Sequence, residues 1–298
     1  MSHAHSVGAI DDGTALSSLA CMTRLVCIGD SFTEGMCDDL RPDGHHVGWS
    51  DRVAIALAVA GAARGDVVEY ANLAVRGKLL NQVVAEQVGV AAQFAPDIAT
   101  FHAGPNDVLR RGTDLEELFR RYDLAVARVT ESSGRTMLFT SIGRAGGTGR
   151  LAELLADRFA RFNENVRAVA ALRGAVVVDL EPVEVLTDRR LWFSDRLHLN
   201  ADGHARVAAA VLEQLGVDDP ALLGGQPGWW REPLPPRPPS RRRDDLAADA
   251  AWMREHLAPW VMRRVRGVSS GDGRDAKDPV PRVIDPGEID PDASGQPH

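Results

Sequence analysis

Long apolar runs are missing from this chain of 298 residues. No stretch of about 18 apolar residues occurs, which excludes a membrane-spanning helix as a reading of the sequence. Cysteine is scarce: Cys21, Cys27 and Cys37 are an odd number without zinc-type spacing, so neither a disulfide framework nor a zinc module is implied. Basic charge is in deficit, with 34 Lys and Arg against 42 Asp and Glu and a formal net charge of -8. That balance opposes non-specific binding to nucleic acid, and no nucleic-acid partner is expected. No glycine loop matches a nucleotide fingerprint, and histidines and cysteines do not cluster at ligand spacing, so no cofactor and no metal are expected. No repeat of 20 to 50 residues interrupts the chain. Residues 1–6 lack the basic start and apolar run of a secretory signal, which makes a cytoplasmic location the expectation.

What is present is alternation. Short apolar, β-branched runs at 24–28, 67–71, 97–102, 136–141 and 175–180 predict strands. Between and after them, helical periodicity covers 49–63, 79–94, 115–130, 151–172 and 201–215. The last is the clearest, because Ala205, Ala208, Val211, Leu212 and Leu215 share one face, Asn200 suits an N-cap and Gly216 a stop. Strands alternating with helices predict an α/β domain, a three-layer α/β/α sandwich around a five-stranded parallel sheet.

The same reading divides the chain. Residues 1–22 are expected to be a disordered extension, with Met22 as a candidate natural start, and 23–217 the α/β domain. A Pro-rich linker is expected over 218–240 and a basic amphipathic helical segment over 241–267. The Gly-, Pro- and Asp-rich stretch 268–298 is expected to be a disordered tail. Trp252, Leu257 and Trp260 give the basic segment an apolar side, yet packing on the domain or a second subunit is favoured over a membrane contact. Oligomeric state is left open.

Chemistry-bearing residues gather where strands end. The run Leu25-Val26-Cys27-Ile28 enters Gly29-Asp30-Ser31, and open α/β sheets place their chemistry at that carboxyl edge. A serine nucleophile needs a base within hydrogen-bond reach and a group to orient that base. His198 can be the base and Asp195, three residues earlier in a loop, its orienter. Other readings stand beside these: Gly-Asp-Ser as a plain strand-to-helix turn, Asp195 as a turn cap, and His204 with Asp202 as a rival pair. His102 ends a strand with no carboxylate assigned to it by sequence, and His45-His46 falls in a polar loop.

Taken in order, Gly29-Asp30-Ser31, Asn72-Leu73-Ala74-Val75-Arg76-Gly77, Gly104-Pro105-Asn106-Asp107 and Asp195-x-x-His198 resemble the four blocks of the SGNH hydrolases, the GDSL-type esterase and lipase family. The resemblance covers about residues 23–217. It departs from the family at Pro105, where a second glycine is frequent, and at Arg196-Leu197, where glycine is often found. It implies a flavodoxin-like fold and a catalytic triad of Ser31, Asp195 and His198. It also implies an oxyanion hole from the backbone N–H groups of Ser31 and Gly77 and the amide of Asn106. Asp30 and Asp107 then fix loops. For Gly77 a turn glycine, and for Asn106 an Asx-turn, are the alternatives. The implied activity is hydrolysis of carboxylic esters, small acyl or acetyl esters foremost, with a small-molecule ester as partner. Acyl transfer by the same triad and ligand binding without turnover are the competing functions.

Overall fold

The computed structural model describes residues 21–143, 149–236 and 270–287, together with Arg254. Strand β1 (Met22–Gly29) lies at the centre of the sheet, flanked by β2 (Val67–Asn72) and β3 (Ile98–His102), with β4 (Arg135–Phe139) and β5 (Val176–Val178) beyond β3. All five run parallel, with Val26 opposite both Ala71 and Ala99. Because side chains alternate across a strand, each strand serves two cores. Leu25 and Cys27 of β1, with Met137 and Phe139 of β4, meet helices α2 (Gly48–Ala62) and α8 (Ala201–Gln214). Val26, Ile28 and Leu138 face the opposite layer, which holds α3 (Leu80–Val83), α4 (Gly89–Gln93), α6 (Leu115–Glu131) and α7 (Arg150–Arg173). The expected α/β/α layering is therefore observed.

Two expectations need correction. The sheet has six strands: β6 (Asp278–Val283) pairs antiparallel with β2, Tyr70 opposite Arg282, inside a stretch expected to be disordered. Pro279 and Pro281 hide it in the sequence, since proline removes ladder donors, and they are tolerated because β6 is an edge. The second concerns 218–240. Its described part, through residue 236, packs on the domain through α9 (Pro220–Leu223) and a tight turn at Trp229–Arg231. Trp230 is 2% exposed, and Arg206 Nη1 donates to the carbonyls of Trp229, Trp230 and Glu232 at 3.2, 2.9 and 3.0 Å. Composition registered the prolines and not the two tryptophans that anchor them. The basic segment 241–267, apart from Arg254, lies outside the described residues, as do 1–20. Among the described residues no helix is long and apolar enough to cross a membrane.

Helix continuity over 79–94 is kept with one wider turn at Val84–Val88, whose buried Gln87 points at the end of β1. The edge strand is held by charge as well as by its ladder. Lys277, just before β6, donates to the carbonyls of His46 and Val47 at 2.9 and 2.7 Å and to Asp51 Oδ2 at 2.5 Å. Its side chain and that of Asp51 are 1% and 3% exposed. Arg41 bridges Asp51 and Asp278 at 3.2 and 2.8 Å. Removing Lys277 leaves the buried Asp51 with Arg41 as its one cationic partner and takes the donor from two loop carbonyls. Lys277→Met is accordingly expected to lower unfolding free energy by about 3–5 kcal/mol, read as a drop in the urea midpoint. An unchanged midpoint would show that the buried Lys277 contacts contribute nothing to stability.

Candidate active site

Ser31 opens a single helical turn, α1 (Ser31–Glu34), directly after β1. Asp30 caps that turn by accepting from Phe32 N at 3.1 Å. The chain before it is clamped by Gln87, whose Oε1 accepts from Gly29 N at 2.8 Å while Nε2 donates to Gly29 O at 3.0 Å. Both backbone groups of the residue two before the serine are thus satisfied by one buried amide. Sequence reasoning passed over Gln87, because a polar residue in a helical pattern looks solvated.

From the other end of the chain, the 192–200 loop folds back on itself. Phe193 N donates to His198 O at 2.9 Å, and Asn200 caps α8 by accepting from Gly203 N at 3.1 Å. Asp195 Oδ1 accepts from Leu197 N and His198 N at 2.9 and 3.1 Å, which makes it the turn cap. Its second oxygen, Oδ2, lies 2.6 Å from His198 Nδ1. His198 Nε2 lies 3.0 Å from Ser31 Oγ. The two readings of Asp195 are therefore compatible, each using its own oxygen. Burial pushes the Asp195 carboxyl up, but His198 and the two loop amides outweigh it and hold the group below the ordinary carboxylate range. Facing an ionised carboxylate, Nδ1 carries the proton, and Nε2 is left to accept from the serine hydroxyl.

Arg196, which stands where the family often has glycine, takes a left-handed backbone at φ 57°. The turn that presents His198 needs that conformation, and a side chain there costs on the order of 1 kcal/mol. Pro105 has an equally local reason, since it occupies the first position of α5 (Pro105–Val108), where its missing N–H is not needed.

Gly77 and Asn106 line the same pocket as the serine, with a cavity volume of about 420 Å³. Gly77 has φ 74°, in the left-handed region that favours glycine. Asn106 Nδ2 donates to Asp30 Oδ2 at 3.1 Å and to Lys78 O at 3.0 Å, so its amide plane is set by two loops. Donating to a third partner requires one of those bonds to be shared or given up. Asp107 accepts from Leu80 N at 2.9 Å, and burial raises its carboxyl. The second block is anchored by buried Asn72, whose Nδ2 donates to Thr33 O at 2.8 Å, and by Arg76, whose Nε donates to Glu34 Oε1 at 2.8 Å.

The other histidines separate clearly. His102 has a carboxylate nearby that sequence did not assign: Nδ1 lies 3.4 Å from Asp30 Oδ1 without a hydrogen bond to it, and its ring is 4.4 Å from that of Phe32. His204 lines the pocket floor at 1% exposure, with Nε2 3.2 Å from Met36 O. His46 turns to Asp38 O at 2.8 Å, and neither it nor His45 lines the pocket. Trp192 donates to Leu186 O at 2.8 Å, which anchors its loop, and lines the pocket beside Phe193.

Cys37 is a neighbour no spacing rule could supply. Its thiol is 3.8 Å from Asp195 Oδ2, and burial and that carboxylate push it up to about 12. Among the described residues, Cys37, Asp195 and His198 are the one group that brings ligand-type atoms within 4.8 Å. The facing atoms of Asp195 and His198 are engaged with each other at 2.6 Å, and the thiol stands beside that pair.

A mostly parallel sheet with Ser, His and Asp joined at its carboxyl edge in this order defines an SGNH-type α/β hydrolase fold. The chain belongs to the GDSL-like Lipase/Acylhydrolase family, whose model matches residues 27–206. No curated protein sequence matches. An acetylxylan esterase from Geobacillus stearothermophilus superposes with a TM-score of 0.54 at 20% identity, covering 66% of this chain and 96% of the other. An α/β hydrolase enzyme from the metagenome of Lake Arreo, Spain, gives 0.55 at 23% identity, over 66% and 96%. A lipase/acylhydrolase from Enterococcus faecalis gives 0.52 at 19%, over 65% and 95%.

Burial drives His204 from the ordinary 6.5 down to about 4. Between those values the unfolded chain binds a proton that the folded one refuses, so stability falls as pH drops through 6.5 and levels off below about 4. At about 1.4 kcal/mol per unit the loss approaches roughly 3 kcal/mol. Urea midpoints of His204→Phe across that window are expected to fall less steeply with acid than those of the parent. Parallel slopes would exclude His204 as the source.

Proposed function

We propose that this chain is a cofactor-independent serine esterase that cleaves small acyl esters, acetyl esters foremost, through an acyl-enzyme on Ser31. The unbroken path from Asp195 Oδ2 to His198 Nδ1, and from Nε2 to Ser31 Oγ, carries the reading. As Oγ bonds to the ester carbonyl carbon, its proton passes to Nε2, and Asp195 stabilises the imidazolium by accepting from Nδ1. The carbonyl oxygen becomes an oxyanion, which the N–H groups of Ser31 and Gly77 and the Asn106 amide receive. Collapse expels the alcohol oxygen, which takes the proton from Nε2. A water then repeats the sequence on the acyl-enzyme and releases the acid.

Two features support ester chemistry of modest size. The cavity of about 420 Å³ pairs the hydroxyl with an apolar wall that includes Phe32, Leu109, Ile142 and Phe159. The solved relatives include an acetylxylan esterase, which makes acetylated sugars the first substrates to try.

Exposure to an active-site phosphonylating reagent is expected to leave one adduct on Ser31, read by intact mass and peptide mapping, and none in Ser31→Ala. No adduct on folded parent protein would favour ligand binding without turnover. Asp195→Asn should lower kcat by about 10³–10⁴ with KM little changed, because the carboxylate acts when the imidazolium forms. Product analysis with competing alcohols then separates hydrolysis from acyl transfer.

A further inference from the structure

The family match ends at residue 206, yet one residue from far beyond it, Ser270, lines the pocket. Ser270 is exposed, whereas Gly271 is buried against the loop that carries Gly77. A Cβ added to Gly271 would stand 2.0 Å from the Arg76 carbonyl oxygen and 3.2 Å from Arg76 C and Val75 Cγ1. Only glycine fits that approach.

The Arg76 carbonyl and the Gly77 N–H are opposite ends of one planar peptide. Whatever fixes the direction of the carbonyl therefore fixes the direction of the N–H. On its other side Arg76 is held by Glu34, which accepts from Arg76 N at 2.6 Å and belongs to the same helical turn as Ser31. Downstream of Gly271 the same segment is tied to the domain by the three hydrogen bonds of Lys277, the Arg41–Asp278 ion pair and the β6–β2 ladder.

We propose that segment 270–283 is a working part of the active site. Gly271 is a positioning residue that orients the Arg76–Gly77 peptide and so aims Gly77 N–H at the oxyanion, and Ser270 sets the width of the pocket mouth beside it. This rests on the esterase reading, and on its assignment of Gly77 as an oxyanion donor. A donor used only in the transition state raises kcat and leaves KM nearly alone, which a general loss of structure would not imitate.

Steady-state kinetics on the full chain test it with a chromogenic acetate ester, circular dichroism and thermal melting confirming that each variant is folded. Gly287→Ala, where a Cβ meets nothing closer than Asp285 Oδ1 at 3.5 Å, serves as the tail control. Gly271→Ala should lose about tenfold or more in kcat with KM within about twofold. Asn106→Ala should cost less in that background than in the parent, because both changes disable one oxyanion site. Should Gly271→Ala fail to fold, Ser270→Phe decides, since the exposed site tolerates a large side chain. Its kcat/KM for an ester of a bulky alcohol should fall about fivefold or more relative to the methyl ester. Parental kcat in folded Gly271→Ala, or an unchanged alcohol preference in Ser270→Phe, overturns the proposal. A parent chain with neither turnover nor a Ser31 adduct would instead fail the esterase reading, and this inference with it.

Discussion

Asp195 divides its carboxylate between backbone and imidazole. Oδ1 gathers the amides of Leu197 and His198 and shapes the loop, while Oδ2 meets His198 Nδ1 at 2.6 Å. Neither task is independent of the other. Without the turn the imidazole would not reach Ser31, and without the imidazole the carboxylate would sit half-desolvated beside a thiol whose pKa burial raises. The positive φ of Arg196 is the local cost of that arrangement, and Asn200, capping α8 from the loop's far end, anchors it to the core.

The serine is placed by a different kind of constraint. It follows a strand buried on both faces, so the position of β1 is set by two cores, and the turn after it is fixed by three separate elements. Gln87 holds Gly29, Asn72 holds Thr33, and the Arg76–Glu34 pair ties the glycine loop to α1. These are buried polar contacts, whose loss would leave an unsatisfied group in a dry environment. Rigidity at the carboxyl edge therefore comes from polar satisfaction, and the apolar cores only set the platform.

The terminal segment extends this logic to the rim. Proline-rich and strongly charged, it has little apolar surface to bury and would not fold by itself. It joins the sheet because Lys277 and Asp278 find partners already buried on α2 and its preceding loop. A stretch that composition marks as solvent-loving is thus drawn in by ion pairs with residues more than 200 positions earlier.

Sequence by itself determined the layered α/β architecture and the chemical blocks, because both are local. Alternation of apolar periods marks strands and helices, and Gly29-Asp30-Ser31 or Asp195-x-x-His198 is recognisable within a few residues. The limits of the ten expected elements differ from those observed by a few residues at most; what the pattern missed are single turns such as α1 and α5, too short to show a period, and the proline-bearing edge strand β6. Only the tertiary structure decided which groups meet: Gln87 with Gly29, Asp30 with His102, Cys37 with Asp195, and Gly271 with the Arg76–Gly77 peptide. Each of these pairs is separated by between 58 and 195 positions or rests on a buried polar contact across loops. No periodicity encodes such a meeting, since it exists only once the sheet has brought distant loops to one edge.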